Sequence, residues 1–122
     1  MSMDEHALAR NVSKHLATEA RTTGDFWFVK LGAWRWVVGL PDYVLCVRGH
    51  FMALELKHPT DESSTVTRRQ AHVLRCIARA GGTTAILRNA HDVLALVAVV
   101  RTGWRGHMGD PIPPLRNMFV SR

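Results

Sequence analysis

Leu8, Val12, Leu16 and Ala20 recur at every fourth position, while Arg10, Lys14 and Arg21 fall elsewhere on the wheel. That period predicts an amphipathic helix over residues 4–21, ended by Gly24. The run Phe26-Trp27-Phe28-Val29-Lys30-Leu31 is aromatic and β-branched and predicts a strand over 26–31. A loop rich in Gly and Trp follows and closes with Gly39-Leu40-Pro41. Two short apolar runs, 42–48 and 51–57, flank Gly49-His50, where Gly at the first loop position suits a two-residue type II′ hairpin turn. A polar stretch over 58–65 leads into a second helix at 67–80, stopped by Gly81-Gly82. Residues 83–88 predict a fourth strand, and Asn89 can cap a third helix carrying Val93, Leu94, Leu96, Val97 and Val100. From Thr102 onward, Gly103, Gly106, Gly109, Pro111, Pro113 and Pro114 rule out long regular elements. The order α-β-β-β-α-β-α implies an α/β fold, a mixed central sheet flanked by helices. With 122 residues it is expected as one domain over 1–122, with 102–122 an irregular C-terminal extension.

The hairpin is where apolar patterning breaks. Period-two alternation puts Phe51, Ala53, Glu55 and Lys57 on one face of the third strand, and Met52, Leu54 and Leu56 on the other. Glu55 and Lys57 then stand side by side, about 6.6 Å apart along the strand. If Gly49-His50 is the loop, Arg48 pairs with Phe51, Val44 with Glu55 and Asp42 with Lys57, so Asp42 joins them on one face. A three-residue loop without a bulge would send Asp42 to the other side.

Two carboxylates diagonal in a sheet suit a hard cation such as Mg²⁺, which takes oxygen ligands and needs only one or two carboxylates from the protein. A bound metal would polarise a phosphodiester oxygen and lower the pKa of a coordinated water. Lys57 could orient that water or offset charge developing on phosphorus. The Leu56 backbone carbonyl, between the two polar side chains, is a further candidate ligand. The plainer alternative makes Glu55 and Lys57 surface charges on an exposed face. Against it, they interrupt an otherwise apolar strand, where unpaired charges are costly.

Composition narrows the partners. The hydrophobic share of 47% and charged share of 21% are those of an ordinary globule. No apolar run reaches a membrane span, and no signal peptide is recognisable. Cys46 and Cys76 are isolated and read as free thiols, which points to a cytoplasmic setting. The net charge is +6 and arginine outnumbers lysine, which favours a polyanionic partner, since the guanidinium fork matches phosphate oxygens.

Gly39-Leu40-Pro41-Asp42, then Phe51-Met52-Ala53-Leu54-Glu55-Leu56-Lys57, then Thr67-Arg68-Arg69-Gln70 and Ala80-Gly81-Gly82 together resemble the PD-(D/E)xK nuclease superfamily. Within it the chain looks like the virus-type replication-repair nuclease (VRR-NUC) family, in its stand-alone phage and bacterial form. The resemblance runs from about Glu5 to Val97. It implies a restriction-endonuclease-like core and Mg²⁺- or Mn²⁺-dependent endonucleolytic cleavage of DNA. Carried over, Asp42 and Glu55 would be metal ligands, Lys57 the catalytic lysine and Gln70 a supporting active-site residue. Glu5 best matches the helical glutamate that often completes such sites, with Glu19 on the same stripe. Gln70 also fits a capping box with Thr67, and an acidic residue at a helix start is favoured by the dipole in any case.

On the second helix Arg68, His72, Arg75 and Arg79 form a basic stripe opposite Val73 and Ile77, either a phosphate contact or a solvated face. Lys30 is a further DNA-contact candidate. Trp34-Arg35-Trp36 could stack on unpaired bases or plug the sheet edge. His72 and Cys76, four apart, lack partners for a zinc site. The resemblance points to branched substrates, a Holliday junction or a flap. Symmetric cutting would need a homodimer, for which Leu115, Met118 and Phe119 offer apolar surface. Two other readings keep the fold: a DNA-binding or regulatory module that cuts nothing, and a restriction-type enzyme cutting defined duplex sequences. A chain this short has little room for a base-reading domain.

Overall fold

The structure, a computed structural model, describes residues 4–31, 37–60 and 65–104. Helix α1 spans Glu5–Thr23. Asp4 caps its start by accepting from the Ala7 N–H at 2.7 Å, and Gly24, at φ 68°, ends it in the left-handed region where a side chain is disfavoured. Leu8, Val12 and Leu16 are its buried stripe, as their spacing predicts.

Strands β1 (Phe26–Lys30), β2 (Tyr43–Val47), β3 (His50–Leu56) and β4 (Thr83–Leu87) form one sheet in the order β1-β2-β3-β4. The first three are antiparallel. β4 joins β3 in parallel after the crossover through helix α2 (Arg68–Arg79), and α3 (Ala90–Arg101) follows. The expected mixed α/β architecture and element order are present.

The two faces of the sheet are covered unequally. Tyr43, Leu45, Val47, Met52, Leu54 and Leu56 point to the main core, which α1 and α3 close with Leu8, Val12, Leu16, Val93, Leu96, Val97 and Val100. On the other face Ala53 and Ile86 meet Leu74 of α2, with Val66 and Ile77 at the margin. Leu74 thus leads the apolar side of α2, where Val73 and Ile77 are half-buried. Tyr43 pins α1 to the sheet: its hydroxyl donates to the Ala9 carbonyl at 2.9 Å and accepts from the Ser13 hydroxyl at 2.5 Å. Arg101 grips Asp25 with two hydrogen bonds, 2.6 and 3.2 Å, and reaches Glu19 at 3.8 Å. Glu19 therefore serves this tie between helix ends, not the sheet hairpin.

The hairpin corrects one expectation. Its loop is Arg48-Gly49, not Gly49-His50, and the register is shifted by two residues, Val47 pairing with His50 and Tyr43 with Leu54. Both loop residues have positive φ, 48° and 85°, the combination of a type I′ turn and not the expected II′. His50 is drawn into the ladder because its imidazole Nε2 meets Thr83 Oγ1 of β4 at 2.7 Å, while the Arg48 N–H donates to the Asp25 carbonyl at 2.9 Å. A slip of two preserves side-chain parity, so Asp42 stays on the Glu55 face. It now lies level with Glu55, not with Lys57.

Among the described residues no helix is long and apolar enough to cross a membrane. Trp34-Arg35-Trp36, together with Leu115, Met118 and Phe119, lie outside the described residues, as does the extension after Trp104.

Candidate active site

Asp42 follows the Gly39-Leu40-Pro41 bend, and its backbone continues the β1–β2 ladder, its carbonyl accepting from the Leu31 N–H at 2.8 Å. Gly39 is needed at the bend on two counts. Its φ is +86°, and a Cβ there would lie 2.6 Å from Arg69 Cγ and 3.0 Å from the Arg69 backbone. The glycine thus lets the start of α2 sit against the bend that presents Asp42. Arg69 Nε donates to the Val38 carbonyl across the same contact, at 3.3 Å.

The Asp42 carboxylate is fixed by β3: Oδ2 accepts the Leu56 N–H at 2.7 Å. Next to it stands Glu55, 1% exposed, with Oε2 buried and without a hydrogen-bond partner among the described residues. Burial, then a hydrogen bond to Asp42 and the Asp42 charge, push the Glu55 carboxyl up to about 9. Lys57 works weakly the other way, and Glu5 adds to the rise. A carboxyl pair this crowded either shares a proton or takes up a compensating cation.

Lys57, 9% exposed, extends β3 by donating its N–H to the Leu87 carbonyl at 3.0 Å. Its ammonium donates to Gln70 Oε1 at 3.2 Å. The same oxygen accepts the Thr67 N–H at 2.9 Å, and Thr67 Oγ1 accepts the Gln70 N–H at 3.1 Å. The capping box expected of Gln70 is present, and its one carbonyl oxygen also accepts from Lys57.

Asp42 opens onto a cleft of about 150 Å³ lined by Glu5, His6, Ala9, Lys30 and Leu56 as well. Glu5, at the start of α1, therefore lines the same cleft as Asp42, although among the described residues no three His, Cys, Asp or Glu side chains are grouped closely enough to hold a metal. Leu56 borders the cleft. Lys30 lies across from Tyr43 at the end of β1 and reaches the same opening. Arg68, His72, Arg75 and Arg79 are exposed along the outer face of α2 and are not part of this cleft. His72 Nε2 and Cys76 Sγ are 3.6 Å apart and both exposed, a local pair only.

Sequence reasoning missed His6 and Arg10. They lie one turn apart on α1, and with Lys30 and Ser13 they line a second cleft of about 330 Å³ that shares His6, Ala9 and Lys30 with the first. Their i, i+4 spacing was the available signal. It was masked because both sit among ordinary polar positions of an amphipathic helix. Arg88 was also missed: it is 5% exposed and holds the His58 carbonyl at 2.5 Å, tying the segment after Lys57 to the end of β4.

The site's donor set suits a hard dication. It has two carboxylates, one with an orphaned buried oxygen, beside a third carboxylate at the cleft and a lysine held at their edge. A comparison of the chain with protein-family models, curated proteins and solved structures finds no match.

Proposed function

We propose that the chain is a divalent-metal-dependent endodeoxyribonuclease of the PD-(D/E)xK type, resembling the VRR-NUC family. The observation that carries this reading is the buried Oε2 of Glu55, without a hydrogen-bond partner among the described residues, beside the fixed carboxylate of Asp42. A buried carboxylate pair of this kind is costly unless a cation compensates it, and the buried Lys57, whose ammonium donates to Gln70, supports the reading as the candidate catalytic lysine.

Asp42 and Glu55 would hold Mg²⁺ or Mn²⁺, with the Leu56 carbonyl and Glu5 as further oxygen donors at the same opening. A bound dication supplies Lewis acidity toward a phosphodiester oxygen and lowers the pKa of a water it holds. The chain's own part is positional and electrostatic. The Leu56 N–H keeps Asp42 from rotating away, and Gln70 keeps the Lys57 ammonium directed along the strand edge. Lys57 then orients the attacking water and offsets negative charge that grows on the phosphoryl oxygens as the P–O bond to the leaving strand breaks. Lys30 at the cleft, and Arg68, Arg75 and Arg79 on the face of α2, supply phosphate contacts consistent with the net charge of +6.

The substrate is proposed to be branched or flapped DNA, and paired cutting of a four-way junction would require a homodimer. The test is incubation with linear duplex, single-stranded, flap and four-way-junction DNA in Mg²⁺, Mn²⁺ or EDTA. Expected is metal-dependent cleavage, strongest on a branched substrate and abolished by Asp42→Ala and by Glu55→Gln. Uncut DNA in every lane would overturn the enzymatic reading and leave a DNA-binding module on the same fold.

A further inference from the structure

The larger cleft beside the carboxylate pair has a chemistry of its own. His6 and Arg10 project from one side of α1, one turn or about 6 Å apart along the axis, and Lys30 closes the cleft from the end of β1. Ala9 lies between them and, being small, leaves the space open. Arg10 and Lys30 are exposed, and among the described residues neither is engaged in an ion pair. The only other described side chain lining this cleft is Ser13, whose hydroxyl is occupied with Tyr43. Among the described residues no carboxylate lines this cleft, in contrast to its neighbour, which holds Asp42 and Glu5; Asp4, just before α1, is an acidic group near enough to feel the charges of His6 and Arg10. His6, Ala9 and Lys30 belong to both, so the acidic pocket passes directly into the basic one.

We propose that the His6–Arg10–Lys30 cleft is a phosphate subsite that holds the DNA backbone next to the phosphodiester being cut, fixing which phosphate reaches Asp42 and Glu55. The inference rests on the nuclease reading for the identity of the ligand. Its physical content is separate: a preformed basic recess of about 330 Å³ contiguous with a carboxylate pair. Phosphate oxygens take the guanidinium of Arg10 in a forked pair, Lys30 as a point charge and the His6 ring N–H as a further donor. An extended strand lying along the first turns of α1 then runs from cations to carboxylates. The basic recess holds its phosphate without a metal, and a dication in the acidic part removes the repulsion the next phosphate meets there.

Binding measured without cleavage tests this. Fluorescence anisotropy of a labelled 20-mer, duplex in one arm and single-stranded in the other, is followed against salt in EDTA. Each lost phosphate contact makes the slope of log K against log salt shallower by about 0.9 for a duplex or about 0.7 for a single strand. Arg10→Ala and Lys30→Ala should each produce that change in at least one arm, and the arm in which it appears identifies the form of DNA held. Arg21→Ala, at the far end of α1, should leave the slope where it was. Ala9→Met should weaken binding by filling the recess with no change in charge. Thermal melting identifies any variant that fails to fold; Ala9, which also packs against the main core, is the one at risk, and the two charge variants then decide alone.

Unchanged slopes in both charge variants would overturn the subsite, even in a protein that cuts DNA. So would failure of the wild type to bind either oligonucleotide at low salt. Shallower slopes in a protein that cuts nothing would instead uphold the subsite and remove the nuclease reading.

Discussion

Glu55 sits on a strand whose neighbours Ala53, Leu54 and Leu56 are all buried, and its carboxyl is held up to about 9 against an ordinary 4.5. The folded pKa exceeds the unfolded one, so the stabilisation from the protonated form is complete below about pH 4.5 and is lost as pH rises through 9. Metal-free protein should therefore melt at falling temperature across that window, and Glu55→Gln, a neutral isostere, should flatten the profile. A divalent cation should raise the melting temperature most at the alkaline end, where Glu55 must otherwise ionise uncompensated. At a concentration near 100 times its dissociation constant the gain is about 2.7 kcal/mol. That corresponds to roughly 10 °C for a domain of this size. Differential scanning fluorimetry with Mg²⁺, Mn²⁺ or EDTA from pH 5 to 9 reads all of these.

Gln70 and Lys57 separate by a different pair of substitutions. Gln70→Ala should cost about 1 kcal/mol through the cap and also lower cleavage by loosening Lys57. Gln70→Glu keeps an acceptor for both Thr67 and Lys57, so it should retain the melting temperature and most activity. Lys57→Ala should leave the melting temperature nearly unaltered and reduce the cleavage rate by roughly 10²–10³, the usual scale for losing one charge-stabilising group.

At the level of elements, the hairpin turn is the least comfortable part of the fold. Arg48 is the one non-glycine residue with positive φ among the described residues, in a conformation that costs an ordinary side chain roughly 1–2 kcal/mol. Arg48→Asn supplies the residue type that a I′ turn favours before glycine and should stabilise the protein, read as a higher melting temperature with activity unchanged. Gly39→Ala should do the opposite and more. It adds strain at φ +86° and pushes against Arg69, so both stability and cleavage should fall although residue 39 touches no substrate.

These elements also mark what the sequence could and could not reveal. Helix and strand positions followed from apolar period, and the shared face of Asp42, Glu55 and Lys57 followed from parity, which a two-residue slip cannot alter. The register itself did not follow, because Gly49 satisfies either turn type and the choice is made at a distance by Thr83 holding His50. The capping box was legible from Thr67-x-x-Gln70, whereas the second use of the same oxygen, as acceptor for Lys57, appears only when α2 is laid beside the end of β3. The basic recess was not, since Lys30 and the pair on α1 are joined only when β1 is laid against the helix.

For the molecule as a whole, charge is divided by location. The carboxylates Asp42 and Glu55 are adjacent at one end of the sheet, with Glu5 across the cleft from Asp42, while cationic side chains border that end and line the outer face of α2. Removing Arg68, Arg75 and Arg79 together should weaken DNA binding at 50–200 mM salt without altering the thermal profile with metal, because that helix face is exposed and remote from the carboxylate pair. Electrophoretic mobility shifts in EDTA would measure the first effect, and the melting series above the second.

Metal-dependent chemistry here requires that Asp42 and Glu55 hold a dication between them. Calorimetric titration of Mn²⁺ into the wild type and into Glu55→Gln, in two buffers of different ionisation enthalpy near pH 7.5, addresses this without any DNA present. Expected is saturable binding to the wild type accompanied by proton release, with affinity and proton release both lost in the variant. No saturable binding to the wild type, or equal affinity and proton release in the two proteins, would contradict it.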